Sequence, residues 1–263
     1  MLRVGLIQLS IIEGNVQENK KHIRDLVTKY SRDEIDLLCF PELCLSGYDF
    51  DQADNSLDES EFMAGLAKEY SVSILAGIYL REGDKRYDAV RMWDKNGTLL
   101  GTYRKIHLYA TERRFFSAGS DLCIIPFKGW NIGILVCADL GFPEVTRILV
   151  DSGCDLVIYP SAWARGKGFD ELFTNCGRIR AAENQVYTIV LNRGDGDQEY
   201  CGYTTVSNPD GTARLFLNVT EETYAKVTLN KDEIRNIREM IPWQMMRQDD
   251  LYRKLSHKND SLN

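Results

Sequence analysis

Short, nearly continuous apolar runs alternate along this chain with longer amphipathic stretches, and that rhythm of strand and helix rules out most architectures at once. Residues 3–9 read as a buried strand, apolar inside except for Gln8. Asn15 then stands where a helix cap belongs, and Ile23, Leu26, Val27 and Tyr30 recur at helical spacing. Residues 35–40 are the next apolar run, ended by Pro41. A helix is predicted over 58–69, where Phe62, Leu66 and Tyr70 align, and a strand over 73–78. Residues 90–93 and 99–103 flank Asp94-Lys95-Asn96-Gly97-Thr98, a strong hairpin signal. Further on, the strands predicted are 132–136, 156–159, 187–191, 203–206 and 214–217, the last two joined at Pro209-Asp210-Gly211, and one ending near Leu229. The helices are 142–150, opened by Pro143, then 170–184 and 231–240.

β-α-β units early and late, with antiparallel hairpins between them, predict an α/β protein with mixed sheets. There is no Pro/Ser-rich linker and no repeat of 20–50 residues, so all 263 residues read as one domain, with a loose polar tail after about 255.

A formal charge of −7 and a pI near 5.2 argue against a duplex-DNA binder, which needs a basic face. The opening run, Met1 to Leu9, is too short for a secretory signal, and no stretch nears the roughly 20 apolar residues that span a bilayer. The seven cysteines are scattered, with no CxxC pair, and several sit in apolar runs, as Cys39 does. A reducing cytoplasm fits this pattern best.

Three strand ends carry chemistry. Gly133-Ile134-Leu135-Val136-Cys137 is an apolar strand ending at a sulfur, with a turn and a helix beyond. Open α/β sheets place ligands at such ends, and nearby backbone N–H groups can serve a thiolate or an oxyanion. Phe40-Pro41-Glu42 sets a carboxylate at another strand end, where partial burial would lift its pKa toward neutrality and make it a base. Tyr103-Arg104-Lys105 ends the hairpin with an ammonium able to neutralise an oxyanion, and Glu112 follows close by. Taken singly, each has an ordinary alternative: a packed cysteine, a loop carboxylate, a solvated lysine, a surface ion pair.

Together they supply base, cation and nucleophile in the order Glu, Lys, Cys, and the chain resembles the nitrilase superfamily of carbon–nitrogen hydrolases, in its amidase-like branch. Pro41-Glu42-Leu43 with Ser46-Gly47-Tyr48 resembles the family's base motif. Tyr103 through Leu108 resembles its lysine motif, and Glu112 with Phe116 and Gly119 its second glutamate. Cys137 with Asp139 and Phe142-Pro143-Glu144 resembles the nucleophile motif; Arg180-Ala181, Glu183-Asn184 and Asn192 resemble the late helix-and-strand motif. The resemblance implies a four-layer α-β-β-α sandwich of two mixed sheets. It implies Glu42 as general base, Lys105 as oxyanion stabiliser, Cys137 as nucleophile and Glu112 as an assistant near the leaving group. The Ala138 N–H would complete an oxyanion hole, with Tyr48, Trp163 and Arg165 lining the substrate site. No metal or organic cofactor is implied, and a homodimer or larger homo-oligomer is, with residues 243–252 contributing.

Ala138 stands where many relatives carry a large side chain, Gly141 where a bulkier residue is common, Asp88 where Asn is usual and Thr204 where Ser is usual. The expectation is that none of these touches the triad and that they bear on substrate alone. The expected substrate is a small linear carboxamide, with an N-carbamoyl compound second and a nitrile third. Outside this class stand a thiol-redox or metal-binding protein, disfavoured by isolated cysteines and three histidines, and a catalytically silent scaffold.

Overall fold

The computed structural model of the chain describes residues 1–49, 59–195 and 199–258. With strands numbered along the chain, one sheet holds β1 (Leu2–Gln8), β2 (Leu37–Cys39), β3 (Ser73–Glu82), β4 (Lys85–Trp93), β5 (Leu99–Arg104) and the late β12 (Thr223–Leu229), in the order β12-β1-β2-β3-β4-β5. The other holds β6 (Cys123–Phe127), β7 (Trp130–Ile134), β8 (Leu156–Pro160), β9 (Tyr187–Leu191), β10 (Thr205–Ser207) and β11 (Ala213–Phe216), in the order β11-β10-β9-β8-β7-β6. Each sheet has a parallel centre, β1-β2-β3 in one and β7-β8-β9 in the other. Their flanking strands run antiparallel. Both sheets are therefore mixed.

Side-chain alternation explains the layering. Val4 and Leu6 of β1, and Leu37 and Cys39 of β2, point into the core shared with Ile132, Ile134, Leu156 and Ile158 of the second sheet. Their neighbours Ile7, Leu38 and Phe40 point the other way, onto α1 (Val16–Tyr30) and α2 (Glu59–Glu69), where Ile23, Val27, Met63 and Leu66 meet them. On the second sheet, α3 (Pro143–Asp151) and α4 (Phe169–Asn184) bring Leu149 and Phe173 into the core. The order is helix, sheet, sheet, helix. Central strands buried on both faces lose the polar–apolar alternation and read as continuous apolar runs. Each fully buried Leu or Ile contributes about 1.5–3 kcal/mol of transfer free energy. Caps add less: the Asn15 side chain accepts from Glu18 N at 3.3 Å, a contact of about 1 kcal/mol.

The chain ends in α5 (Lys231–Met240), α6 (Trp243–Met246) and α7 (Asp249–Lys258). It is thus helical to Lys258, past the point where a loose tail was expected; residues 259–263 and Asp58, the expected start of α2, lie outside the described residues. The hairpin reads back further than its apolar part, because β3 and β4 extend to a turn at Gly83 through the polar pairs Arg81–Arg86 and Glu82–Lys85. Strand β6 was not expected. No helix among the described residues is long and apolar enough to cross a membrane.

One buried acid couples this frame to pH. Glu59 opens α2 with 2% exposure and its Oε2 accepts from Tyr79 N on β3 at 2.8 Å. Burial, working against the Tyr79 hydrogen bond and the nearby Ser46 hydroxyl and Lys20 ammonium, lifts its carboxyl from 4.5 to about 7. The folded chain thus binds this proton more tightly than the unfolded chain, so its contribution is complete below pH 4.5 and shrinks as pH rises to about 7. The loss is about 3 kcal/mol across that window. Glu59→Gln keeps an acceptor for Tyr79 and is expected to flatten the decline in urea-unfolding free energy between those pH values. An unaltered decline would remove Glu59 as its source.

Candidate active site

The carboxyl ends of the parallel strands of both sheets open toward one another, and the three expected residues meet there. Glu42 follows β2, Lys105 follows β5, and Cys137 follows β7 after Leu135 and Val136. Lys105 Nζ lies 2.6 Å from Glu42 Oε1 and 2.8 Å from Glu112 Oε1. It is also 3.1 Å from Asp88 Oδ2. The Cys137 thiol lies against the Glu42 carboxylate and the Ala162 N–H. That same N–H donates to Glu42 Oε2 at 2.6 Å. Glu42 and Lys105 are fully buried, Glu112 nearly so, and Cys137 keeps 8% exposure, the most of the four residues.

Backbone geometry fixes each group. After β2 the chain turns tightly across β3: Phe40 N donates to Leu75 O, Gly77 N to Pro41 O at 3.1 Å, and Cys44 N to Gly77 O. A Cβ on Gly77 would sit 2.5 Å from Glu42 Cα, so only glycine lets the turn carrying the carboxylate lie on the sheet. Leu43 (φ 45°), Cys137 (φ 42°) and Ala110 (φ 39°) all occupy left-handed backbone. Such strain in non-glycine residues gathers where a fold holds functional groups in place. Cys137 begins a 3-10 turn, Cys137–Gly141, pinned by Asp139. Asp139 Oδ2 accepts from Tyr103 OH at 2.7 Å and Val136 N at 2.9 Å, and its Oδ1 from His107 N at 3.0 Å. His107 Nδ1 lies 2.7 Å from the same oxygen, with its ring stacked on Phe142. The turn bearing the sulfur is thereby tied to the strand end bearing Lys105. Glu112, in the 3-10 turn Ala110–Arg114, accepts from Tyr109 N at 2.7 Å and Tyr48 OH at 3.0 Å.

The electrostatics differ from the expectation for Glu42. Burial does push its carboxyl upward, but the Lys105 ammonium, with Asp88 and Cys137 beside it, outweighs burial and holds Glu42 below its ordinary range. Glu42 rests ionised. Burial and the Glu42 charge keep the Cys137 thiol well above its usual value, despite Lys105 and the Ala162 N–H. Burial would lower Lys105, but the carboxylates around it, Glu42 foremost, raise it well above its usual value, so it is a fixed cation.

Among the substrate-side residues, Ala138 follows the sulfur directly, and Tyr48 reaches the site through its hydroxyl on Glu112. Trp163 is half-buried, its backbone N donating to Asn192 Oδ1 at 2.7 Å and its indole to Phe169 O at 3.1 Å. Arg165 is exposed, and its backbone N donates to Glu199 O at 2.7 Å. Asp88 corrects a second expectation, since it contacts Lys105 directly. The hairpin register at the turn alone would not have found it, because a bulge between Met92 and Trp93 shifts the pairing by one residue, so that Ala89 meets Arg104 and Lys105 N donates to Asp88 O. Thr204 stays off the triad and holds the end of β9 through Asn192 N. The Ala162 N–H left no sequence signal at all.

Glu42, Asp88 and Glu112 are also the one group of possible metal ligands among the described residues. The Lys105 ammonium already lies in contact with all three, so a divalent ion there would have to displace it. The seven cysteines are free thiols and none joins that group.

A family model described as carbon-nitrogen hydrolase matches residues 3–239. The chain is 32% identical to a "Hydrolase in agr operon" of Staphylococcus aureus, over 92% of this chain and 96% of the relative. It is 30% identical to omega-amidase NIT2 of Homo sapiens, over 95% and 96%. Its fold superposes with a TM-score of 0.83 on an amidase from Nesterenkonia sp. AN1 carrying acrylamide at its active-site cysteine, covering 97% of this chain and all of that one at 24% identity.

Proposed function

The chain belongs to the carbon–nitrogen hydrolase family of the nitrilase superfamily, and from that premise we propose that it hydrolyses a small linear carboxamide to ammonia and a carboxylic acid through a thioester on Cys137. One observation carries this reading: a buried ammonium 2.6 Å from an ionised carboxylate, with a thiol against that carboxylate.

Because the thiol rests protonated and Glu42 rests ionised, proton transfer accompanies attack. As the Cys137 sulfur bonds to the amide carbon, its proton passes to Glu42, and the carbonyl electrons move to an oxyanion held by Lys105 and the Ala138 N–H. Each such donor is worth about 3–4 kcal/mol to the transition state. Glu42 then gives its proton to the nitrogen, the C–N bond breaks and ammonia leaves. Glu112 steadies Lys105 and the leaving group. Water delivers a proton to Glu42 as its oxygen attacks the thioester; the C–S bond breaks, and that proton returns to the sulfur. The reaction calls on no redox group.

The human relative's name, omega-amidase, supports an amide at the end of a chain, and we place a carboxylate at that chain's other end. Trp163 is then the apolar wall, and Arg165 the group meeting the carboxylate. We also expect the chain to act as a homodimer or larger homo-oligomer, its exposed Trp243, Met245, Leu251 and Tyr252 covered by a second copy.

Ammonia release from a panel of ω-amides, aliphatic amides, N-carbamoyl amino acids and nitriles tests the reading. The ω-amides are expected to turn over fastest. Preference for N-carbamoyl compounds would move the chain to that class, and silence across the panel would leave the scaffold alternative.

A further inference from the structure

Three carboxyl groups share one ammonium in this site, and their hydrogen bonds are unequal. Glu42 receives the Lys105 ammonium and the Ala162 N–H. Glu112 receives the ammonium, the Tyr48 hydroxyl and the Tyr109 N–H. Asp88, 1% exposed in the middle of β4, receives no hydrogen bond at either oxygen. Its contact with Lys105 is close enough for an ion pair but lies outside hydrogen-bond geometry. One of its carboxyl oxygens instead lies within 4.8 Å of one of Glu42's. Two carboxyl oxygens at such a separation repel unless a proton lies between them. A buried carboxylate with no donor is costly, and among three acids the one without donors is the one that keeps its proton.

We propose that Asp88 is a neutral carboxylic acid whose O–H donates to Glu42, a positioning residue that keeps the base ionised and aimed at Cys137. The bond between them has an acid as donor and an ion as acceptor, the stronger kind. The charges facing Asp88 agree with this. Burial raises its carboxyl well above the ordinary range; Lys105 opposes, while Glu42 and Glu112 reinforce. Tyr48 and Tyr103, which also face Asp88, rest as neutral phenols because they are buried. With Asp88 protonated, the cluster carries one less buried negative charge, and Lys105 stays free to turn toward an oxyanion rather than neutralise a third acid.

This inference rests on the amidase reading for its consequence, but not for its detection. Infrared difference spectra of Cys137→Ala against the double variant Cys137→Ala, Asp88→Asn, neither of which turns over, read the proton directly. The expected result is a carboxylic-acid C=O band, shifted in heavy water, present in the first and lost in the second at mildly alkaline pH. Identical spectra would overturn the proposal whatever the enzyme's substrate. In the active background, Asp88→Leu is expected to lose about tenfold or more in kcat/KM, since it removes one charge-assisted hydrogen bond. Asp88→Asn, which restores a neutral donor, is expected to recover most of that loss and move the alkaline limb of the pH profile upward, because an amide cannot ionise. An Asn variant as poor as Leu, or an alkaline limb that does not move, would count against Asp88 as the proton's holder.

Discussion

Lys105→Met is expected to lose amide turnover by roughly a hundredfold to a thousandfold and, separately, to lower the melting temperature by roughly 6–20 °C at neutral pH. The first effect follows from removing a donor to the oxyanion. The second follows from burial: Glu42 and Glu112 are left in a water-free site without the ammonium now 2.6 and 2.8 Å away. Breaking a buried ion pair from one side costs about 3–5 kcal/mol. The pH dependence should reverse sign. In the native chain the Glu42 carboxyl is held below its unfolded value, so it contributes stability at neutral pH that is lost as pH falls through the folded value. In the variant only the remaining N–H and hydroxyl donors oppose burial, so Glu42 rises above its unfolded value and Glu112, already raised in the native chain, rises further, and stability rises as pH falls. Thermal scans from neutral to mildly acidic pH read this. A variant that melts like the native chain at every pH would show that Lys105 is not the cation of this cluster.

Cys137→Ala is the contrasting case. Turnover is expected to fall by about 10⁵-fold or more, as it does when a covalent nucleophile is removed, while the melting temperature changes by only a few degrees. The sulfur fills little volume, and alanine carries the same penalty at φ 42° as cysteine does. The pair of variants therefore separates chemistry from folding. Lys105 serves both, and Cys137 serves chemistry alone.

Legibility in the sequence followed from how each residue is held. Glu42, Lys105 and Cys137 each close an apolar run, so their placement at strand ends could be read from pattern, and the family resemblance joined them. The central strands were readable for the same reason, because strands buried on two faces announce themselves as unbroken apolar runs, but the double layer came from the family resemblance alone. What escaped was set by partners distant in sequence. Strand β6, Cys-Ile-Ile-Pro-Phe, contains Pro126, which is tolerated because β6 is an edge paired only with β7. The polar ends of β3 and β4 carry no apolar signal because they extend beyond the core. The direction of the Glu42 shift was misjudged because burial was weighed without the Lys105 ammonium and the Ala162 N–H. Asp88 was set aside as a substrate-side difference because its contact with Lys105 depends on register, not on motif. The Asp139 anchor lay within the nucleophile motif, but its bonds to Tyr103 and His107 cross 36 and 32 residues of chain.

Rapid quenching of the native chain during turnover of an ω-amide, followed by intact-mass and peptide analysis, bears most directly on whether acid, base and sulfur act on one carbonyl. The expected product is a protein heavier by the amide's mass less ammonia, with the added acyl group on the peptide containing Cys137 and absent from Cys137→Ala. Steady ammonia release with no acyl group on that cysteine, or with full activity in Cys137→Ala, would contradict it.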